Sequence, residues 1–450
     1  MSFITELSGK NCLVLGAGVT GRAVHNALLK FKATSKIFDE KVSPDAEVVN
    51  EIPSGVNLVV VSPGWRLDHP VIVKLKSTGA LILSEIDLAW QIKQVLAPNQ
   101  KWIALTGTNG KTTTIQMLES IFKSAKTNGV ACGNVGQTVI ESVCADRPFD
   151  YLAIELSSFQ IQWSDLPRYQ AVAILNIAED HIDWHASFEN YAAAKLKLLT
   201  HSDKLILNKS DQEITRRIKK DEVIWFSLAT PAPGEIGVVE NLLIDRAFSA
   251  SGSEANEIAE LSDITPAVPH NISNALAAAA LALSIGIKYE FIKNGLKNFS
   301  ADHHRMELVV SKNEINWIDD SKATNPHAAI ASLLSNFKII WIAGGLAKGA
   351  SMGELVLRCA NRIKAVILIG QDREIIATAF MQHAKGVEII RVDQVGDART
   401  LMSDVVKAAK KLAQPGDTVL LAPACASMDQ FDSYSQRGQL FAQAVKEELL

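Results

Sequence analysis

Short apolar runs alternate with longer stretches of helical periodicity along the whole chain. Runs of this length, rich in β-branched residues, read as buried strands, and the periodic stretches between them as crossover helices. The pattern predicts strands at Cys12–Leu15, Lys36–Asp39, Asn57–Ser62, Trp102–Thr106, Tyr151–Leu156, Ala171–Asn176, Lys204–Leu207, Asn316–Asp319, Lys338–Ala343, Ala365–Gly370, Glu388–Val392 and Thr418–Ala422. It predicts helices over Ile115–Ile121 and over the alanine-rich run Ala275–Leu283, which stops near Gly286 and suits a buried helix. Such alternation predicts α/β architecture with mainly parallel sheets. At 450 residues the chain exceeds one core, and roughly two to three domains are expected. Three αβ blocks emerge. The first ends near Ala97-Pro98-Asn99, the second ends near Ser300, and the third opens around Asp302-His303-His304-Arg305.

The second block opens on the most informative segment. Gly107-Thr108-Asn109-Gly110-Lys111-Thr112-Thr113-Thr114 lies between the strand ending at Thr106 and the helix around Ile115. A glycine-bearing turn there lets backbone N–H groups wrap a phosphate at the helix N-terminus. Lys111 would meet the β/γ-phosphates and the Thr112 hydroxyl would ligate Mg²⁺. The usual P-loop has another glycine five positions before Gly110, where this chain has Leu105, so the loop is a shortened variant. A purely decorative turn is the weaker reading.

In the first block, Gly16-Ala17-Gly18-Val19-Thr20-Gly21 follows a strand, and Asp39 ends the next one. Alone this is a dinucleotide fingerprint with Asp39 on a ribose hydroxyl. It could equally be a tight turn that packs a helix on a sheet, or a seat for another nucleotide's phosphates. Other polar clusters follow strand ends: Ser62-Pro63-Gly64, Glu155-Leu156-Ser157-Ser158, Glu179-Asp180-His181, Asp320-Ser321-Lys322 and Pro423-Ala424-Cys425-Ala426-Ser427. Open α/β sheets bind ligands at the carboxyl ends of their strands. Glu155 is therefore a reasonable Mg²⁺ ligand, although a carboxylate there could also cap the next helix. His181, among acidic neighbours, is either structural or a metal ligand oriented by them. Lys195 reads as a solvated helix lysine, or as a buried lysine whose neutral amine reacts with CO₂ to give a carbamate. Asn271 could cap the alanine-rich helix, or Asn271 and Asn274 together could present amides to a purine. Asp320 to Asn325 and Ala343 to Gly349 each combine a cation with backbone donors, which suggests a pocket for an anionic substrate.

Composition adds exclusions. Hydrophobic residues are 48% and charged residues 21% of the chain, the balance of a soluble globular protein, and net charge is −4, which does not suggest wholesale nucleic-acid binding. The five cysteines have no paired spacing, which suggests reduced thiols in a cytosolic protein. The N-terminus shows no signal-peptide pattern, and no apolar run is long enough to span a bilayer. No short-period repeat is present.

Together these residues resemble the Mur ligase family, which shares its short phosphate loop with folylpolyglutamate synthetase. The resemblance covers all three blocks. It rests on Gly107 to Thr113, Glu155-Leu156-Ser157-Ser158-Phe159-Gln160, Glu179-Asp180-His181, Tyr191 to Lys195, Asp320 to Asn325, and Pro423 to Phe431 continuing through Gln436-Arg437-Gly438. It implies a Rossmann-like UDP-binding domain at 1–97, a central P-loop ATPase-like domain at 98–301 and a C-terminal Rossmann-like α/β domain at 302–450. The implied activity is a cytoplasmic ATP-dependent amide ligation in peptidoglycan precursor synthesis. D-glutamate would be joined to UDP-N-acetylmuramoyl-L-alanine through an acyl phosphate and a tetrahedral intermediate. The implied cofactors are ATP and Mg²⁺ at two sites, with Mn²⁺ as a substitute, and the implied state is a monomer without membrane insertion.

The resemblance assigns residues as follows. Gly18, Val19, Thr20, Asp39, Ser62, Pro63, Gly64, Asn134, Ser157 and His181 would bind the UDP-linked substrate. Gly107, Thr108, Asn109, Gly110, Lys111, Thr112, Thr113, Asn271, Asn274, Arg305 and Asp320 would bind ATP. Thr112, Glu155, His181 and carbamylated Lys195 would hold metal. Lys41, Thr324, Lys348, Ser427, Met428 and Tyr434 would hold D-glutamate, with Lys322 in the same loop. Lys111, Glu155, His181, Lys195, Lys322 and Lys348 would serve the chemistry. Two positions depart from the family pattern. Glu40-Lys41 replaces a Thr-Arg pair, and Lys41 lacks the bidentate fork of arginine. Tyr434 replaces a phenylalanine. The competing readings are a folylpolyglutamate-type ligase, a nicotinamide dehydrogenase built on the first fingerprint, and a nucleotide-regulated binding protein.

Overall fold

A computed structural model describes residues 2–40, 48–219, 222–248 and 254–449. Lys41 lies outside the described residues. By its contacts the chain divides into two compact units, one of residues 1–177 and 189–299, the other of residues 178–188 and 300–450.

The first unit holds two sheets. One contains β1 (Asn11–Leu15), β2 (Thr34–Phe38), β3 (Val48–Val49), β4 (Leu58–Val61) and β5 (Leu81–Ser84), all parallel, in the order β3-β2-β1-β4-β5. The order reverses beside β1, so the turn after β1 and Ser62-Pro63-Gly64 after β4 flank the switch point, where such sheets take ligands. The other sheet contains β6 (Lys101–Thr106), β7 (Gly129–Gly133), β8 (Tyr151–Glu155), β9 (Ala171–Ile174), β10 (Leu205–Asn208), β11 (Val223–Phe226), β12 (Glu235–Val239), β13 (Leu242–Asp245) and β14 (Asn256–Glu260). Their order is β14-β13-β12-β11-β10-β9-β6-β8-β7. β6 lies between β8 and β9, and all three run parallel, so the loops after them share one edge.

The alanine-rich segment is the helix Pro269–Ser284, with Ala275–Ala282 fully buried. Small side chains let it pack closely beside the helix Lys111–Ser124. On that same helix, a Cβ on Gly295 would lie 2.5 Å from the Ile121 Cα, so the helix Tyr289–Lys297 also needs a glycine at its contact.

The two sheets of this unit are tied by the helix Glu85–Leu96. Glu85 Oε1 accepts from the Ile140 N–H at 2.7 Å, and Asp87 Oδ1 accepts from the Asp165 and Leu166 N–H groups at 3.0 and 2.9 Å. Burial pushes the Glu85 carboxyl up to about 7. An acid with a raised folded pKa contributes most below its unfolded pKa, and that contribution is lost as pH rises through the folded value. Between about pH 4.5 and 7, wild-type stability should therefore fall relative to Glu85→Gln, whose amide oxygen can still accept from Ile140. By about pH 8 the variant should gain on the order of 2 kcal/mol relative to its position at acid pH. Thermal melts across this range check it, and a pH-independent gap between the two proteins would refute it.

The second unit holds β15 (Glu307–Lys312), β16 (Ile315–Asp319), β17 (Ile339–Gly344), β18 (Ile363–Ile369), β19 (Glu388–Arg391) and β20 (Thr418–Leu421), in the order β15-β16-β20-β17-β18-β19. β17 is buried along its whole length, as a central parallel strand covered on both faces should be. β16, β20 and β17 are adjacent and parallel, so the loops after them emerge side by side.

The α/β class and each strand read from the sequence are present, most with ends shifted by a residue or two. The pairs β12–β13, β13–β14 and β15–β16 are antiparallel edges that the pattern did not mark. The β15–β16 hairpin turns on Asn313 and Glu314, both with positive φ (53° and 59°). A type I′ turn demands that backbone, but Asn-Glu lacks the glycine that usually signals it.

Candidate functional site

In the first unit the site is built around the turn after β6. Gly110 caps the helix Lys111–Ser124 with φ 82°, and a Cβ there would lie 2.3 Å from Asn274 Oδ1. Glycine is thus required twice over, by backbone and by space. The turn is clamped by Asn176, which follows β9. Its Oδ1 accepts from the Asn109 N–H at 2.8 Å and its Nδ2 donates to the Asn109 carbonyl at 3.1 Å. Sequence reasoning missed this residue because a lone asparagine after a strand carries no motif.

Two lysines face the loop from different elements. Lys111 Nζ donates to the Gly107 and Thr108 carbonyls, both at 3.0 Å. Lys195, on the helix Phe188–Leu196, donates to the Gly107 carbonyl at 2.8 Å and to Thr106 Oγ1 at 3.3 Å. It is 2% exposed, which overturns the solvated-helix reading of this lysine. Its Nζ lies 4.8 Å from the ring centre of Tyr191, whose hydroxyl bonds Thr108 Oγ1 at 2.9 Å.

Glu155 ends β8 beside this loop and is 1% exposed. Its Oε1 accepts from Asn134 Nδ2 at 2.9 Å, while its buried Oε2 has no hydrogen-bond partner among the described residues. Burying a carboxylate oxygen unpaired is costly, and a cation would satisfy it. Glu155 does not cap the following helix. Ser157 does, in a reciprocal box with Gln160, so the Ser157 hydroxyl is engaged locally. Asn271 is likewise not a cap: Val268 is the cap, and Asn271 sits one turn inside, donating to the Pro266 carbonyl at 3.2 Å. Asn271 and Asn274 are both buried at the loop end of that helix, with Asn274 against Gly110.

At the first sheet's switch point, Asp39 Oδ2 accepts from the Ala17 N–H at 2.7 Å. This carboxylate braces the glycine turn. A Cβ on Gly21 would fall 1.8 Å from the Gly16 carbonyl oxygen, so the third glycine is fixed by helix–strand packing. Gly18 caps the helix Val19–Lys30, and Val19 projects from it with 75% exposure. Ser62 lies opposite, its Oγ 2.9 Å from where a Gly16 Cβ would stand.

The second unit carries the other cluster. His181 has φ 54° and starts the short helix Ile182–His185. Asp180 Oδ1 accepts from the His181 N–H at 3.0 Å and from Lys348 Nζ at 2.6 Å. Lys348 lies in the loop after β17, whose Leu346 exchanges two 2.9 Å backbone bonds with Ala426 of the loop after β20. Asp372 Oδ2 holds that loop through the Ala347 N–H at 2.8 Å. Asp320 Oδ1 accepts from the Met306 N–H at 3.2 Å and Oδ2 from the Ser332 hydroxyl; burial pushes its carboxyl up to about 6. Arg305 lies in the turn that Asp320 thereby holds. Asn325 caps the helix Pro326–Leu334, closing the loop that carries Lys322 and Thr324. Ser427 is buried, and Met428 is 76% exposed.

Two groups here had no role assigned from sequence. His304 Nδ1 pairs with Asp319 Oδ2 at 2.6 Å, and that hydrogen bond raises the histidine pKa. Glu307 completes a cluster of metal-like spacing, but the direct imidazole–carboxylate bond reads as an ion pair. Arg437 is fully buried. It donates to Ser321 Oγ and the Ser321 carbonyl, both at 2.9 Å, and to the Cys425 carbonyl at 3.2 Å. Desolvation lowers its pKa to about 10. Arg437 stands in the Gln436-Arg437-Gly438 segment that carries the resemblance, but nothing local in that segment reveals what its side chain holds.

A short phosphate loop with two lysines, a half-satisfied buried carboxylate and a separate cation-bearing α/β unit defines an ATP-using ligase class. The comparisons agree with it. A model of the Mur ligase middle domain matches residues 105–282, and one of the Mur ligase glutamate ligase domain matches residues 304–425. The chain belongs to the Mur ligase family. It is 44% identical to the UDP-N-acetylmuramoylalanine--D-glutamate ligase of Thermobifida fusca, over 98% of this chain and 99% of that one. In fold it is similar to a pseudomurein peptide ligase type C from Methanothermus fervidus, with TM-score 0.63 and 18% identity over 98% of this chain and all of that one. It is also similar to the MurF ligase of Thermotoga maritima in complex with ADP, with TM-score 0.59 and 15% identity over all of this chain and 98% of that one. No helix among the described residues is long and apolar enough to cross a membrane.

Proposed function

We propose that this chain joins D-glutamate to UDP-N-acetylmuramoyl-L-alanine at the expense of ATP, as a cytoplasmic monomer in peptidoglycan precursor synthesis. We place its domain limits at 1–97, 98–301 and 302–450. The observation that carries the chemistry is the convergence of Lys111, Lys195 and the half-satisfied Glu155 on one phosphate loop. The substrate assignment is supported by the name of the relative at 44% identity.

An alanyl carboxylate oxygen attacks the γ-phosphorus of ATP, and the bond to the β-phosphate oxygen breaks, releasing ADP. The amine of D-glutamate then attacks the acyl-phosphate carbon and gives up a proton. The tetrahedral intermediate expels phosphate and leaves the amide. Such transfer depends mainly on positioning and charge stabilisation. Loop N–H groups and Lys111 hold the triphosphate, while Asn271 and Asn274 face the nucleoside. Glu155, whose buried Oε2 lacks a partner among the described residues, would hold Mg²⁺ with Thr112 and carbamylated Lys195. The bound ion would neutralise phosphate oxygens, and the resemblance adds His181 to the metal ligands. Lys322, Thr324, Lys348, Ser427 and Met428 bind the amino acid, joined by Lys41, and Tyr434 stands against Lys322. Gly18, Val19, Thr20, Asp39, Ser62 to Gly64, Asn134 and Ser157 bind the UDP-linked substrate.

ADP and phosphate should appear only when ATP, UDP-N-acetylmuramoyl-L-alanine and D-glutamate are all present. Equal turnover with L-glutamate, or none with either isomer, would overturn this reading. Folate-dependent ATP turnover would favour a folylpolyglutamate-type ligase instead.

A further inference from the structure

The position that departs from the family pattern, Tyr434, makes a contact that gives it a role. Lys322 Nζ stands 3.9 Å from the centre of the Tyr434 ring. Four bonds hold this pair in register. Ser321, next to the lysine, donates its hydroxyl to the Tyr434 carbonyl at 2.7 Å. Arg437, one helical turn beyond the tyrosine, donates to both the hydroxyl and the carbonyl of Ser321 at 2.9 Å. The Lys322 N–H donates to the His304 carbonyl at 3.2 Å. Arg437 also bonds the Cys425 carbonyl at 3.2 Å, so the loop leading to Ser427 shares the anchor.

We propose that the Tyr434 ring is a positioning residue that fixes the Lys322 ammonium as the carboxylate-selecting cation of the amino-acid pocket. A lysine is a point charge on a flexible four-carbon stem and loses rotamer freedom when it binds a ligand. A ring face attracts the ammonium through its quadrupole, which restrains the cation and leaves N–H donors for a carboxylate. Tyrosine and phenylalanine share that face; leucine does not. Tyr434 is half-buried and begins the helix Tyr434–Leu449, so its replacement removes the ring without opening the core.

The inference rests on the D-glutamate reading, so its test has one arm that does not. In the ligase assay, Tyr434→Phe should keep the wild-type KM for D-glutamate. Tyr434→Leu should raise it roughly fivefold, with kcat and the KM for ATP unchanged and preference for D-glutamate over D-glutamine reduced. An unchanged KM in Tyr434→Leu, a fall in kcat alone, or equal damage from both variants would overturn the proposal. In the independent arm, lysines are reductively ¹³C-methylated and the Lys322 resonance is identified with Lys322→Arg. That resonance should carry an upfield ring-current shift in the wild type and Tyr434→Phe, and lose it in Tyr434→Leu. No shift in the wild type would refute the contact. If the shift is present but wild-type turnover with D-glutamate is absent, the substrate reading fails and the contact stands.

Discussion

Lys111→Ala should abolish ATP-dependent ligation, lowering kcat/KM by at least about a thousandfold, in the range that loss of a transition-state charge partner produces. The lysine opens the helix Lys111–Ser124, and its ammonium lies 3.0 Å from the carbonyls of Gly107 and Thr108. Only a cation at this point on the loop can follow the negative charge that shifts between the β- and γ-phosphates during transfer. Lys111→Arg should rescue little. The rigid fork is longer, and the turn around it is tightly held by the Asn176 clamp and the Gly110–Asn274 contact. The loss should be kinetic rather than structural, because Lys111 is half-buried and its bonds to Gly107 and Thr108 end on carbonyls of its own loop. Release of ADP under saturating substrates, with thermal melts alongside, measures both. A variant that keeps a tenth of wild-type turnover would show that another group carries the phosphate charge.

What the sequence disclosed follows from how local each signal is. The phosphate loop, β6 and the helix after it are contiguous, and glycine is forced at Gly110 by its backbone and by Asn274. The buried strands were legible because parallel strands covered on both faces read as unbroken apolar runs, as β4 and β17 do. Antiparallel edges such as β12–β14 are partly exposed, and their pattern fades into that of loops. Within the candidate site, residues in motifs were found, but the bonds that hold those motifs in place were not. Asn176 clamps the phosphate loop from a different strand, and Arg437 ties Ser321 to Cys425 across more than a hundred positions of sequence. Asp39 was read as facing a ribose, yet its Oδ2 also braces the glycine turn. Roles of this kind depend on which chain segments meet, and no local spacing records that. The Asp180–Lys348 pair is similar, since each residue stood in a recognised cluster but the 2.6 Å bond between the clusters did not.

Lys195→Ala should lose at least about a hundredfold in turnover, as loss of a group on the metal does, and short carboxylic acids should restore part of it. Lys195 is deeply buried and donates to Thr106 Oγ1 and the Gly107 carbonyl, and a lysine can form a carbamate only as the neutral amine, the form that burial favours in general. Its nitrogen lone pair can then add to the carbon of CO₂. One C–O π pair moves to oxygen, a proton leaves the nitrogen, and the neutral amine becomes a carbamate anion. That anion would face the same loop as Glu155, whose Oε2 already awaits a partner. Truncation to alanine leaves a slot beside Tyr191 that acetate can enter, delivering a carboxylate without the tether. The sign of the rescuing ion is the discriminating result. Recovery with acetate but not with methylammonium assigns an anion to position 195. Recovery with methylammonium alone assigns the ammonium form, and undiminished turnover in the variant would exclude a role for this side chain in the chemistry. Wild-type activity should also fall in buffer stripped of CO₂ and return when bicarbonate is added.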